Sequence, residues 1–175
     1  YGSYLLARKL RVEPLRALVA AALFSLLPPA IYFAPRALSE NAAALPIVFA
    51  VALLCDEAPA FGAVVVAGSL FGLATIFRIQ NTLVCAAAVA WLAARREWRR
   101  TGLLVAVLVA WGLLDGACDK LTWGSWFQSA RVYYAANLVN GYSNIFGRQP
   151  PSYYLRAIVS SSGLAGALLL ALAAI

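Results

Sequence analysis

Ionisable and amide side chains border several long apolar runs of this 175-residue chain. Arginines beside lipid suit a phosphate, because the planar guanidinium group binds phosphate oxygens at two points. Carboxylates suit general-base chemistry at a sugar hydroxyl, and aromatic rings together with Asn and Gln suit a sugar. The charged residues in question are Arg36, Glu40, Arg78, Asp115, Asp119, Lys120, Arg131, Arg148 and Arg156. These residue types point to a sugar linked to a lipid phosphate.

Several other chemistries are not indicated, because the chain lacks the residues that they need. The sequence has no His, so it offers neither a His-based acid–base pair nor a His-ligated metal site. It has no P-loop motif and no GxSxG motif, which argues against nucleotide hydrolysis and Ser–His hydrolysis. Its three cysteines show no CxxC spacing and do not indicate a zinc site or a disulfide scaffold. We therefore predict no metal and no cofactor.

The composition indicates a lipid environment. The chain is 63% hydrophobic and 12% charged, with a mean hydropathy of +0.81, whereas soluble domains average roughly 45–50% apolar and about 25% charged residues. We predict an all-α polytopic membrane protein, and we exclude a soluble domain, a disordered chain and a nucleic-acid partner. The chain also has no Met, so we expect it to be an internal fragment of a larger membrane protein.

Apolar runs predict spanning helices near residues 17–35, 38–55, 58–77, 79–94, 101–114 and 155–175. A helix needs about 20 apolar residues to cross a bilayer, and flanking charged side chains can extend shorter runs. We expect Pro28-Pro29 to break or kink the first span. Residues 115–154 are predicted to form an outer-face loop. Within this loop, apolar residues recur at helical spacing from Trp123 to Leu138, which predicts an interfacial helix.

Two basic stretches set the predicted orientation. Arg8–Arg16 and Arg95–Arg100 border apolar runs, and the positive-inside rule places such stretches in the cytoplasm. The number of spans between them puts both on one face, so the charged residues named at the outset fall on the outer face. The high alanine content and the absence of an Asn-x-Ser/Thr sequence favour a bacterial inner membrane, with the endoplasmic reticulum membrane as the alternative.

Several short motifs occur in an order that is typical of one enzyme family. They are Arg36–Glu40, Gly72–Arg78, Asp119–Trp126, Asn137–Gly141, Phe146-Gly147 and Pro150–Leu155. In this order they resemble motifs of the Alg9/PIG-B type mannosyltransferases, a GT22-like family with the GT-C fold. The resemblance implies a GT-C-like transmembrane helix bundle and an inverting glycosyltransferase. It would transfer mannose, or a related sugar, from a polyprenyl-phosphate carrier such as dolichyl phosphate mannose to a lipid-linked glycan at the extracytoplasmic face.

The resemblance also implies roles for single residues. Arg78 would contact the carrier phosphate, a leaving group whose developing charge needs a cation, and Arg36 and Glu40 would shape the donor or acceptor pocket. Asp119 and Lys120 would anchor the long loop as a structural pair. The residues expected to line the sugar or lipid side are Trp123, Trp126, Asn137, Asn140 and Tyr142. The family's catalytic acid lies in an earlier, His-containing external loop, which we expect before Tyr1, so the catalytic residue is unknown.

Two other functions stay open. A transporter or flippase component would also place polar groups among spanning helices, and it predicts internal repeats and broken helices. Pro28-Pro29 fits a broken helix, but the chain contains no repeat. A non-catalytic membrane scaffold is the third hypothesis, although a scaffold does not need outer-face Arg, Glu and Asp in motif order. All three functions imply membrane lipid as a partner.

Overall fold

The computed structural model describes residues 1–33, 39–147, 149–150, 152–153, 156–157, 160–163 and 166. These residues form helices and no β-strand, which confirms the all-α class. The predicted span at residues 155–175 lies largely outside the described part of the chain. The helices that form in the five preceding apolar runs lie within the described residues.

Eight α-helices follow one another between residues 1 and 134 of the described part of the chain. They are α1 (Gly2–Lys9), α2 (Pro14–Ser25), α3 (Pro28–Phe33), α4 (Ser39–Leu54), α5 (Phe61–Phe77), α6 (Thr82–Ala94), α7 (Trp98–Trp123) and α8 (Gln128–Tyr134). A 3₁₀ turn, Ile79–Asn81, joins α5 to α6; a π-helix, Ala135–Val139, continues α8; and a 3₁₀ helix covers Tyr142–Phe146. The apolar run at 17–35 is divided between α2 and α3, because Pro28 can begin a helix but cannot continue one.

The fifth apolar run forms a longer helix than the sequence predicts. We expected a span at 101–114 with the outer loop from residue 115, but α7 continues to Trp123. Its carboxylates do not end it, because Asp115 lines a cavity and Asp119 is hydrogen-bonded to Ser129. The helix ends at Gly124, which adopts a left-handed conformation with φ of 76°.

The helix in the outer segment also begins later than predicted. We expected it to start at Trp123, but residues 124–127 form a turn and α8 starts at Gln128. Phe127 has φ of 54°, and its ring lies against Gly116, where an added Cβ would be 2.6 Å from the nearest ring carbon. This contact packs the turn against α7 and so sets where α8 begins.

Helices α4, α5 and α7 form the centre of the bundle, with α5 between the other two. Phe71 and Val64 of α5 are fully buried together with Leu104 of α7. On the face of α5 that meets α7, Gly68 and Gly72 are four residues apart, which lets the two helix backbones approach closely. A Cβ at Gly68 would lie 2.8 Å from Val107, so there is little room for a larger residue.

Charged groups gather on the turn between α4 and α5. The Lys9 ammonium pairs with the Asp56 carboxylate at 2.6 Å, and Arg11 pairs with Glu57. From the second basic stretch, Arg95 Nη1 donates to the Asp56 carbonyl at 2.9 Å, and Arg100 Nε donates to the Pro59 carbonyl at 2.6 Å. The two basic stretches therefore meet at one end of the bundle, which we call the basic end.

Only α7, among the described helices, is long and apolar enough to cross a membrane. Its 26 residues extend over about 39 Å at 1.5 Å per residue. Helices α2, α4, α5 and the segment Ile79–Ala94 are apolar but shorter than 18 residues. Helices α5 and α7 both start at the basic end, so the last residues of both lie at the opposite end of the bundle.

Candidate functional site

A cavity of about 690 Å³ lies at the end of the bundle opposite the basic end. It is lined by the end of α5, the 3₁₀ turn, the second half of α7 and the first turns of α8. Its apolar walls include Ile76, Phe77, Ile79 and Phe127. Its polar lining consists of Ser39, Thr75, Arg78, Gln80, Thr82, Asp115, Ser129 and Tyr133. We call this space the polar cavity.

Arg78 follows the last residue of α5 and has an extended backbone. Its guanidinium group forms an ion pair with Glu40 through Nη1, and its Nε donates to Gln80 Oε1 at 3.3 Å. A guanidinium group carries five N–H donors, and Nη2 of Arg78 has no hydrogen bond within the described part of the chain. The side chain is 32% exposed. The cation is therefore held on two sides and keeps donors for a ligand.

The 3₁₀ turn that follows Arg78 connects this cation to α8. The side-chain amide nitrogen of Gln80 donates to the Tyr133 hydroxyl. The turn itself is closed by the Asn81 backbone N–H, which donates to the Arg78 carbonyl at 3.0 Å, and by Asn81 Nδ2, which donates to the Ala74 carbonyl at 2.8 Å. Gln80 is thus a bridge between Arg78 and a residue 53 positions later.

Asp119 ties α8 to α7. This carboxylate is 6% exposed and accepts two hydrogen bonds from Ser129, one from the backbone N–H at 2.7 Å and one from Oγ at 2.6 Å. It satisfies a backbone donor in the first turn of α8, as a helix cap does. Asp119 therefore anchors the start of α8 to α7.

The implied Asp119–Lys120 pair does not form. Lys120 Nζ instead donates to the Gly124 carbonyl at 2.7 Å, at the end of α7. Consecutive residues of a helix do not face each other, so the two side chains leave α7 in different directions. Each anchors a different part of the turn between α7 and α8.

Asp115 is the one carboxylate in the described lining of the polar cavity. It lies one helical turn before Asp119 and is partly buried. Within the described part of the chain it has neither an ion pair nor a hydrogen bond, whereas Glu40 is paired with Arg78 and Asp119 with Ser129. The polar cavity therefore combines a held cation with an available carboxylate.

The structure brings together only some of the residues that the motifs single out. Arg78 and Glu40 are in contact, and Asp119 supports α8 beside them, while Arg36 lies outside the described residues. The remaining residues, all absent from the described lining of the polar cavity, are Trp123, Trp126, Asn137, Asn140 and Tyr142.

These five residues occupy other surroundings. Trp123 is 70% exposed, and the Trp126 ring contacts that of Phe127 with centroids 6.1 Å apart. Asn137 donates to the Tyr133 carbonyl at 3.0 Å, and Asn140 and Tyr142 are exposed. The first turns of α8 meet the cavity through Ser129, Ala130 and Tyr133, and much of the predicted apolar stripe therefore points elsewhere.

The sequence motifs include none of Gln80, Ser129 and Tyr133. Asp115 is named from the sequence only as one of the charged residues on the predicted outer face. One signal was present in the sequence: Gln80 lies two residues after Arg78. Another was the spacing of Ser129 and Tyr133, which are four residues apart on a helix.

No family model, no curated protein and no solved structure matches this chain.

Proposed function

We propose that this chain belongs to an inverting GT-C-type glycosyltransferase, and that the polar cavity binds the phosphate-linked sugar of a polyprenyl-phosphate donor. The observation that carries the proposal is Arg78, which Glu40 and Gln80 hold at the cavity wall while Nη2 stays available. Such a cation stabilises the negative charge that develops on a departing phosphate. The acceptor is a lipid-linked glycan.

A membrane setting supports this substrate class. Large apolar side chains are exposed on the bundle, among them Leu83 (76%) and Leu121 (86%), as expected of a polytopic protein whose surface faces lipid. Ile76 and Phe77 line the polar cavity and are also 45% and 42% exposed. The apolar surface is thus continuous with the cavity wall, so a polyprenyl tail can lie in lipid while its phosphate reaches Arg78.

Different residues of the polar cavity bind different parts of the substrate. Arg78 takes the phosphate oxygens, and the unpaired carboxylate of Asp115 accepts hydrogen bonds from sugar hydroxyls. In the transfer step, a hydroxyl oxygen of the acceptor bonds to C1 of the sugar as the bond from C1 to the phosphate oxygen breaks, and a carboxylate acting as general base takes the proton of that hydroxyl. The bonding electrons leave with the polyprenyl phosphate, whose charge Arg78 stabilises.

The test is sugar transfer by the intact protein in lipid nanodiscs, supplied with radiolabelled polyprenyl-phosphate mannose and lipid-linked glycans extracted from the native membrane. Replacing Arg78 by Ala is expected to lower kcat/KM about 100-fold, the usual size of losing one charge-stabilising group. Arg99→Ala is the matched control, because Arg99 is an exposed arginine at the start of α7, at the basic end.

Four results would count against the proposal. Equal activity of Arg78→Ala and wild type would remove the assigned role of Arg78, and so would an equal loss in Arg99→Ala. No transfer of mannose by wild-type protein would argue against the enzyme. Movement of intact donor between leaflets without transfer would favour the flippase alternative.

A further inference from the structure

We infer that Gln80 and Tyr133 are positioning residues, which orient the Arg78 guanidinium group for an anionic phosphate ligand. The identity of that ligand rests on the proposed function, whereas the orientation of Arg78 does not. Neither residue belongs to a motif that the sequence analysis assigned to the site. Both line the polar cavity.

The orientation of the Gln80 amide is the first step. Its oxygen accepts from Arg78 Nε at 3.3 Å, and its nitrogen donates to the Tyr133 hydroxyl. If the amide turned over, its NH₂ group would face the N–H of Arg78, and two donors would meet. The N–H of Arg78 can only donate, so it directs the oxygen of Gln80 toward itself, and the Tyr133 hydroxyl accepts from the amide nitrogen and holds the side chain in this place.

The second step is the plane of the guanidinium group. Glu40 binds Nη1 and Gln80 binds Nε, so two acceptors on different nitrogens fix the plane of a rigid, planar group. The Nη2 donors then have a set direction before any ligand arrives. A binding group that is already ordered loses less conformational entropy on binding, which raises affinity without a new contact.

The third step is the support of Tyr133 itself. Asp119 binds Ser129 in the first turn of α8, and the Phe127 ring lies against Gly116 of α7. Tyr133 is four residues after Ser129, on the same face of α8. The position of α8 on α7 is thus transmitted to Arg78 through one tyrosine and one glutamine.

The kinetic test uses Tyr133→Phe, which removes the hydroxyl and keeps the ring, and Gln80→Leu, which removes the bridge. In the transfer assay with polyprenyl-phosphate mannose, we expect each variant to raise the donor KM about fivefold, the size of one lost hydrogen bond. The acceptor KM should stay within about twofold, whereas kcat should also fall, because Arg78 stabilises the charge that develops on the departing phosphate. The double variant should be no worse than Gln80→Leu alone, because both changes break one connection.

Tyr134→Phe is the matched control, since Tyr134 is the next residue and is 59% exposed. A rise in donor KM for Tyr134→Phe as large as that for Tyr133→Phe would overturn the inference, because it would indicate a general disturbance of α8. Additive effects of Gln80→Leu and Tyr133→Phe would also overturn it.

A second measurement needs no substrate. Phenylglyoxal modifies arginine side chains of the intact protein, and mass spectrometry of the proteolytic peptides can then follow Arg78 separately from Arg99. We expect Arg78, relative to Arg99, to react several-fold faster in Tyr133→Phe and Gln80→Leu than in wild type. Unchanged reactivity of Arg78 would overturn the inference even if turnover fell. Faster reaction of Arg78 combined with an inactive wild-type protein would support the positioning role and reject the proposed function.

Discussion

At the scale of single residues, Asp115 differs from the other acidic groups near the polar cavity because the described residues give it no partner. Asp115 is partly buried and lies four residues before Asp119, so its charge does not stabilise the fold, and a loss of activity on its replacement reports function. Glu40 and Asp119, in contrast, each hold a neighbouring element through a direct contact.

We predict that Asp115→Asn lowers kcat/KM for sugar transfer about tenfold and leaves the melting temperature unchanged. The amide keeps the volume of the carboxylate but loses the charge, and hydrogen bonds to charged groups are worth about 1.5–3 kcal/mol. The measurement combines transfer kinetics with thermal unfolding of the intact protein. Glu13→Gln, an exposed carboxylate near the basic end, should change neither quantity, and wild-type kinetics in Asp115→Asn would remove Asp115 from the site.

For Asp119 we predict a loss of stability, because its contacts hold α8 against α7. Asp119→Ala leaves the Ser129 N–H and hydroxyl without their acceptor and should lower the free energy of unfolding by about 2 kcal/mol. Thermal unfolding of the intact protein, and proteolysis of the turn at residues 124–127, should both report the loss. Cys118→Ala alters an exposed neighbour on the same helix, and a similar loss there would show that α7 tolerates no change in this turn.

At the scale of elements, the contact between α5 and α7 depends on glycine. The Trp111 side chain occupies the place that a Cβ at Gly72 would need, whereas nothing lies within 4 Å of a Cβ at Gly62, in the first turn of the same helix. Alanine is the better helix former by about 1 kcal/mol. The two glycines should therefore respond to alanine with opposite signs.

We predict that Gly72→Ala destabilises the protein by about 1–3 kcal/mol through overpacking, while Gly62→Ala is neutral or slightly stabilising. Thermal unfolding of both variants in the same detergent measures the difference. A more stable Gly72→Ala variant would mean that α7 can move away from α5 at no cost, and that Trp111 does not fix their separation.

The hydropathy pattern and the residues that interrupt it predicted the positions of most helices, but they did not predict the end of α7. Helices occupy each of the first five predicted runs, and the break at Pro28 follows from proline chemistry alone. A hydropathy pattern treats Asp115 and Asp119 as interruptions, because it cannot show that a carboxylate is satisfied by Ser129, ten residues later. The start of α8 likewise depends on a tertiary contact, that of Phe127 with Gly116.

Only some residues of the candidate site could be predicted from the sequence. The sequence motifs single out both Arg78 and Glu40, and the structure places these two side chains in contact. The Gln80–Tyr133 bridge joins residues 53 positions apart, and neither residue has a distinctive local pattern. Trp123 and Trp126 show the converse, since their residue types suit a sugar but neither is in the described lining of the polar cavity.

At the scale of the whole molecule, two groups of charged residues lie at opposite ends of the bundle. The basic end joins Arg8–Arg16 and Arg95–Arg100 to the acidic turn at Asp56-Glu57. The polar cavity, with Arg78 and Asp115, lies at the other end. If the basic end faces the cytoplasm, as the positive-inside rule requires, the proposed donor site opens on the extracytoplasmic side.

We predict that Arg99 and Asn140, both exposed, lie on opposite sides of the membrane. In a variant whose Cys55, Cys85 and Cys118 are replaced by Ala, a single cysteine is introduced as Arg99→Cys or as Asn140→Cys. A membrane-impermeant maleimide added to intact cells should label the Asn140→Cys protein, and should label Arg99→Cys only after permeabilisation. Labelling of both from outside would refute the topology, because the two positions would then share a face. Labelling of Arg99→Cys alone would invert the orientation and place Arg78 in the cytoplasm, away from an extracytoplasmic polyprenyl-phosphate sugar.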